Sequence, residues 1–387
     1  MQYSEARLTE TETKEKSARK SFDYSFFVLV MLLLIAGVVM VLSSSYARAY
    51  YDPGNITGGN PAYYFIRQLI FAAAGVAAML LASMLPMGFY RRYSMLVLIA
   101  ALVLLALVPL IGVKSNGARR WIGVGSLTLQ PSEIAKLAVI LAFSALICKY
   151  RGKMKTFRYG ILPFVSILLL IVGLLVLEPH FSASIIIIAV GGTMIFLGGA
   201  RLVWFVSAAA AAGAGIAVLL TMFPYASTRI TTWLDPFSST SDEGYQIVQS
   251  LYSIGSGGLT GLGLGKSRQK FLFLPEEHND FIFSVVCEEL GFIGAMLILI
   301  LFALLIIRGY WIAVNSRKRY TALVCAGITT LLAIQVILNV AVVTNLVPCT
   351  GISLPFFSYG GTALLIQMTE MGIILSASRE LPAMRAG

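Results

Sequence analysis

Charge is scarce in this sequence: only 12% of its 387 residues are Asp, Glu, Lys or Arg, against 58% that are apolar. A chain with so little polar side chain cannot cover soluble domains of that total size, and a mean hydropathy of +0.84 excludes a soluble class. Cysteine is also rare. Cys148, Cys287, Cys325 and Cys349 lie in or at the ends of different apolar stretches, with no C-x-x-C among them, which excludes a disulfide framework and a cysteine metal centre. Acidic residues are the scarcer sign, 18 against 29 Lys and Arg, for a net charge of +11. Taken alone, that balance suggests a polyanion. The cations, however, sit between apolar blocks, so no nucleic-acid partner is expected.

What the chain has instead is long apolar runs. About 20 apolar residues are needed to cross the hydrocarbon core, and ten stretches qualify: 26–44, 64–85, 94–113, 131–150, 160–177, 182–199, 202–223, 281–307, 321–347 and 357–378. The expected fold is an all-α polytopic membrane protein of about ten transmembrane helices. The tails would be 1–24 and 379–387, the membrane domain 25–378, and a large extracytoplasmic loop, 224–280, would join the seventh and eighth helices. Lys and Arg in the short loops give the orientation. With both termini cytoplasmic, 19 cations fall inside and eight outside, with Arg67 and Lys136 at or within helices. The first apolar stretch follows a mixed-charge tail with no small-residue cleavage site and reads as a retained span.

Unlike ordinary connectors, the 224–280 loop exceeds 50 residues and carries enough aromatic and aliphatic side chains to fold back on the bundle. Ile247, Leu251 and Ile254 have the spacing of an amphipathic helix lying along the membrane surface. The glycine-dense run 255–265 then leads to Lys266, Arg268 and Lys270. A phosphate-loop reading fails: after Gly258 and Gly263 the lysine position is Leu264, and counting back from Lys266 puts Thr260 where glycine belongs. A flexible turn and an anion-binding turn backed by the cations remain open.

The ionisable residues at membrane depth each carry two readings. Glu133 and Lys136, three apart on one helix face, form a structural ion pair or line a cavity. Arg119, Arg120 and Trp121 form an interfacial belt or a phosphate-binding cluster. Asp280, where the long loop enters an apolar helix, caps that helix or acts as a partly desolvated general base. His278 tunes it, binds substrate or does neither. Glu178, His180, Glu288, Glu289 and Glu370 are packed polar groups or functional ones.

Together these motifs resemble the SEDS family (shape, elongation, division and sporulation), whose members FtsW, RodA and SpoVE polymerise glycan strands from lipid II. The likeness covers nearly all the chain after the N-terminal tail. It rests on Gly117 to Trp121, Gln130-Pro131-Ser132-Glu133-Ile134-Ala135-Lys136, the segment from Tyr245 to Gly291, and the stretch from Pro348 to Ala363 with Ser358-Tyr359-Gly360-Gly361. The run from Gly265 to Phe271 is closer to the FtsW and SpoVE branch. The resemblance implies a peptidoglycan glycosyltransferase of the bacterial cytoplasmic membrane, serving septal or spore wall synthesis. Asp280 would be the general base on the acceptor 4-hydroxyl, and undecaprenyl pyrophosphate would leave. Arg120, Trp121, Glu133, Lys136, Lys266, Arg268, His278 and Ser358 become substrate-binding candidates. Positive charge for the leaving group would come from Arg120, Lys266, Arg268 or a divalent cation, Mg or Mn, for which no ligands are assigned. Implied partners are lipid II and the growing glycan strand, membrane lipids, the divisome or sporulation machinery, and a class B penicillin-binding protein, a transpeptidase. A lipid II flippase and a non-catalytic scaffold for that protein are the competing readings. A flippase favours midplane charges and repeated halves, whereas the polar groups here cluster toward the outer side and no repeat is visible.

Overall fold

A computed structural model describes residues 22–51, 56–115, 118–124, 127–210, 213, 231–238 and 242–381. Most of the two terminal tails and the greater part of the stretch 202–223 lie outside the described residues. The chain is mostly helical: α1 Tyr24–Tyr51, α2 Tyr63–Met84, α3 Met87–Ile111, α4 Pro131–Lys149, α5 Leu162–Leu177, α6 Phe181–Leu197, α7 Asp242–Gly257, α8 Ile282–Asn315, α9 Arg319–Val343 and α10 Gly361–Ser378. Six of these, α1 to α4, α8 and α9, are long and apolar enough to cross a membrane, while α5 and α6 are shorter apolar helices. Residues 202–210 are helical as well.

The helices fall where apolar runs predict them because one run supplies both the buried contacts and the lipid-facing surface. What the runs do not reveal is depth in the bundle. About two-thirds of the apolar window is buried in α4 and α9, against 28% in α2, α3 and α8, so α4 and α9 form the interior. The most extensive pairing is α10 along α2. Glycine permits that approach: a Cβ on Gly372 would lie 2.4 Å from the Met79 carbonyl oxygen.

One expectation needs correcting. The fold is not all-α, because a three-stranded antiparallel sheet separates α3 from α4: β1 Val113–Ser115, β2 Ala118–Val124 and β3 Leu127–Leu129, in the order β1-β2-β3. Its sequence signal is local. The strands are separated by Asn116-Gly117 and Gly125-Ser126, dipeptides that favour two-residue hairpins. The register sets Lys114 opposite Arg119 and Ile122 opposite Leu129.

The expected amphipathic helix of the long loop is α7. Its inward face packs on α8, through buried Ile247, Ser250 and Ser253. The Ser250 and Ser284 hydroxyls are 2.7 Å apart, and Ser253 donates to the Ser284 carbonyl at 3.0 Å. The glycine run after α7 is a docking strip rather than a phosphate cradle. The helical path of α8 breaks at Gly291, with φ 66°, and the strip fills the gap: Leu262 and Gly263 N–H donate to the carbonyls of Glu288 and Glu289, while Phe292 and Ile293 N–H donate to those of Gly258 and Leu259. Backbones meet so closely that a Cβ on Gly261 would lie 2.2 Å from the Glu289 carbonyl oxygen.

Candidate active site

A cavity of about 600 Å³ opens between α2, α4, α6, α9, α10 and the β-ribbon, within the ~300–1,000 Å³ usual for ligand pockets. Its wall includes Arg67, Arg120, Trp121, Gln130, Glu133, Lys136, His180, Glu276, Asp280, Ser358 and Glu370. Six of the nine predicted site residues therefore converge there from separate parts of the chain. Lys266 and Arg268 are exposed on the loop before α8 and are not in this wall, and His278 is buried behind it.

Asp280 stands two residues before the start of α8, yet it does not cap the helix: the N-cap position is Phe281 and α8 has no side-chain cap. Its carboxylate faces the cavity instead. Burial raises its ionisation to about 6, Glu276 adds to the rise, and His278 and Arg120 oppose it. The backbone around it is clamped by the stretch 350–360. Asn339 of α9 donates to the carbonyls of both Asp280 and Ile352, at 2.8 and 2.7 Å. Ser358 donates to the Asn279 carbonyl at 2.8 Å and accepts from Leu354 N–H at 2.7 Å, so its hydroxyl is spent on shaping the wall. Tyr359 N–H donates to the His278 carbonyl at 2.8 Å. Gly351, at φ +62°, lies against the carboxylate: a Cβ there would stand 3.1 Å from Asp280 Oδ2.

The other charges are arranged around this group. Arg120, the third residue of β2, donates to the Pro179 carbonyl and feels both Asp280 and Glu178, although burial lowers its own pKa. Glu133 and Lys136 pair at 2.6 Å on the cavity side of α4. Arg67 of α2 and Gln335 of α9 also reach the wall. Arg67 is visible in the sequence as a lone cation in an apolar run, but nothing in its local pattern distinguishes a cavity ligand from a snorkelling end. His278 acts on Asp280 from outside the wall, its ring lying 4.8 Å from that of Tyr64 and 5.8 Å from that of Tyr359, and fully buried Glu277 behind it pairs with Arg48 at 3.1 Å.

Family membership follows from the match between this arrangement and known proteins. The family model for FtsW/RodA/SpoVE, described as a cell cycle protein, matches residues 23–382. The chain belongs to the FtsW/RodA/SpoVE family. It is 39% identical to stage V sporulation protein E of Bacillus subtilis (strain 168), over 93% of this chain and 98% of that one. It is 38% identical to a probable peptidoglycan glycosyltransferase FtsW of Saccharophagus degradans, over 94% of each. Among solved structures, a chain of a peptidoglycan synthase complex that coordinates polymerization and crosslinking is 27% identical, with a TM-score of 0.76 over 93% of this chain and 98% of that one. RodA of Thermus thermophilus is 26% identical, with a TM-score of 0.67 over 94% and 98%.

Within this family member, Glu288 and Glu289 are fasteners outside the cavity wall. Glu288 accepts from the Ser253 and Ser267 hydroxyls at 3.0 and 2.5 Å and from Arg268 N–H at 2.8 Å. Glu289 takes Lys270 Nζ at 2.8 Å and the Ser43 hydroxyl at 2.7 Å. Among the described residues no group of three His, Cys, Asp or Glu side chains converges to hold a metal ion.

Proposed function

We propose that this protein is a peptidoglycan glycosyltransferase that polymerises lipid II, with Asp280 as the base and the cavity cations as the counter-charge. The observation that carries the reading is the Asp280 carboxylate itself, turned into a cavity and poised near neutral pH beside Glu276, His278 and Arg120. A base is most effective when its pKa lies close to the working pH. Asp280 takes the proton from the acceptor 4-hydroxyl. The oxygen attacks the donor anomeric carbon with inversion, and the bond to undecaprenyl pyrophosphate breaks. Arg120, with Arg67 and Lys136 on the same wall, offsets the charge that develops on the pyrophosphate. Glu133 holds Lys136 in place, and Trp121 and Ser358 shape the entrance. His278 acts through Asp280. Lys266 and Arg268 attract the anionic substrate or headgroups from the loop surface.

In this reading ten spans cross the bacterial cytoplasmic membrane, both termini are cytoplasmic, and 224–280 lies outside. Synthesis is septal or sporulation-linked, and the partner is a class B penicillin-binding protein. The test is reconstitution of the purified chain with lipid II, with and without that partner, followed by gel analysis of the products. Polymer from the wild type, alone or with the partner, and none from Asp280→Ala is expected. Lipid II translocated across vesicles without polymer favours a flippase. Wild-type rates from Asp280→Ala remove the mechanism.

A further inference from the structure

The corner between α5 and α6 holds two buried ionisable groups that the mechanism leaves unused. Glu178 is 1% exposed and His180 8% exposed. Neither oxygen of the Glu178 carboxyl, nor Nδ1 of His180, has a hydrogen-bond partner among the described residues. His180 Nε2 stands 3.5 Å from Gln130 Nε2, at the outer limit of contact, and both residues line the cavity. Gln367 lines the same wall. Its Oε1 accepts from Phe356 N–H at 3.0 Å, while its buried Nε2 has no partner among the described residues. Ser182, also in the wall, donates to the Thr350 carbonyl, so the corner abuts the residue preceding Gly351 and hence the Asp280 carboxylate.

Buried polar groups in folded proteins are nearly always hydrogen-bonded. A concentration of orphaned ones around one cavity marks where a polar ligand or its displaced water supplies the missing bonds. The charge state decides which ligand. Burial pushes Glu178 up to about 8 despite Arg120. Burial, followed by Arg120 and Lys136, pushes His180 down to about 3. At neutral pH this part of the wall is therefore a neutral imidazole and primary amides, and the buried Glu178 outside it is a carboxylic acid. Such a set offers donors and acceptors without net charge. It suits hydroxyl and acetamido groups and gives a pyrophosphate nothing that Arg67, Arg120 and Lys136 do not give better.

We propose that Gln130, His180 and Gln367 form a neutral sugar subsite that recognises the hydroxyl and acetamido groups of an N-acetylated ring of the lipid-linked substrate. The inference rests on the lipid II reading and divides that substrate between two kinds of wall, cations for the pyrophosphate and neutral groups for the sugar.

The test compares the binding of lipid II with that of undecaprenyl pyrophosphate, which keeps the lipid and the anion and lacks the sugars, to the full-length protein in nanodiscs. His180→Ala and Gln130→Ala are each expected to weaken lipid II by about tenfold, the worth of one or two neutral hydrogen bonds, and to leave undecaprenyl pyrophosphate within about twofold. The retained binding doubles as the control for folding. Parallel loss of both ligands, or no change in either, overturns the subsite. A wild type that binds undecaprenyl pyrophosphate and lipid II equally well overturns it too, whereas a wild type that binds neither brings down the lipid II reading on which it rests.

Discussion

Asp280 illustrates what a single residue's surroundings contribute. A carboxylate in water ionises near 4; burial and Glu276 bring this one to about 6. Because the base form is the ionised one, polymerisation is predicted to fall about tenfold per pH unit below about 6 and to level off above it, as read from kcat/KM across pH. The sign for stability is opposite. A folded-state pKa above the unfolded value means that the folded protein binds more protons between about 4 and 6, so this group's contribution to stability is lost as pH rises through that window. Asp280→Asn is therefore expected to abolish turnover and to raise the unfolding temperature more at pH 7.5 than at pH 5. A melting curve lowered at both pH values would contradict that account. Gly351 carries a second prediction. Its left-handed backbone and its approach to Asp280 Oδ2 make Gly351→Ala costly in two ways: about 1 kcal/mol in stability for the backbone, and at least tenfold in polymerisation as the new methyl displaces the carboxylate. An equal loss in both assays would leave only the backbone effect.

At the scale of elements, the loop between α7 and α8 is held by ion pairs whose partners come from distant helices. Lys270 reaches Glu289 of α8 and Ser43 of α1, and both charged side chains are almost wholly buried. Removing one member leaves an uncompensated buried charge, so Lys270→Met is expected to destabilise the fold by about 3–5 kcal/mol. The double variant Lys270→Met with Glu289→Gln recovers most of that, measurable as melting temperature and as protease resistance of the 258–273 segment. The glycine strip depends on backbone contact in the same place, and its local sequence pattern suggested a flexible turn or an anion site. Only the break in α8 at Gly291 reveals why glycines are needed there. The β-ribbon is a related case: the Asn-Gly and Gly-Ser pairs were present in the sequence, inside a region whose composition otherwise reads as helix ends and loop.

For the whole molecule, the distribution of cations predicts orientation. Labelling intact cells with a membrane-impermeant maleimide is expected to modify Arg268→Cys, in a background with Cys148 and Cys349 replaced by serine, and to leave Lys318→Cys unmodified until the membrane is opened. The reverse pattern would invert the topology and remove the outer-face cavity from the argument. Two interior helices, α4 and α9, act as the frame on which the site is assembled: α4 brings Glu133 and Lys136, α9 brings Gln335 and the Asn339 tie to Asp280, and α2, α6, α10 and the ribbon close around them. Each contributes polar groups to the wall, α10 three of them: Thr362, Gln367 and Glu370.

The sequence by itself determined that this is a membrane protein, the positions of most of its helices, its family and the residue to test first. Those properties are written in local hydropathy and in short motifs, which do not depend on how helices pack. Tertiary structure alone decided which charges share a cavity. Lys266 and Arg268 stand close to Asp280 in sequence and are not in its wall, while Arg67 and Glu370, at opposite ends of the chain, both line it. The physical reason is that a helical bundle brings together residues far apart along the chain, and a polar side chain's role follows from the low-dielectric space it is folded into.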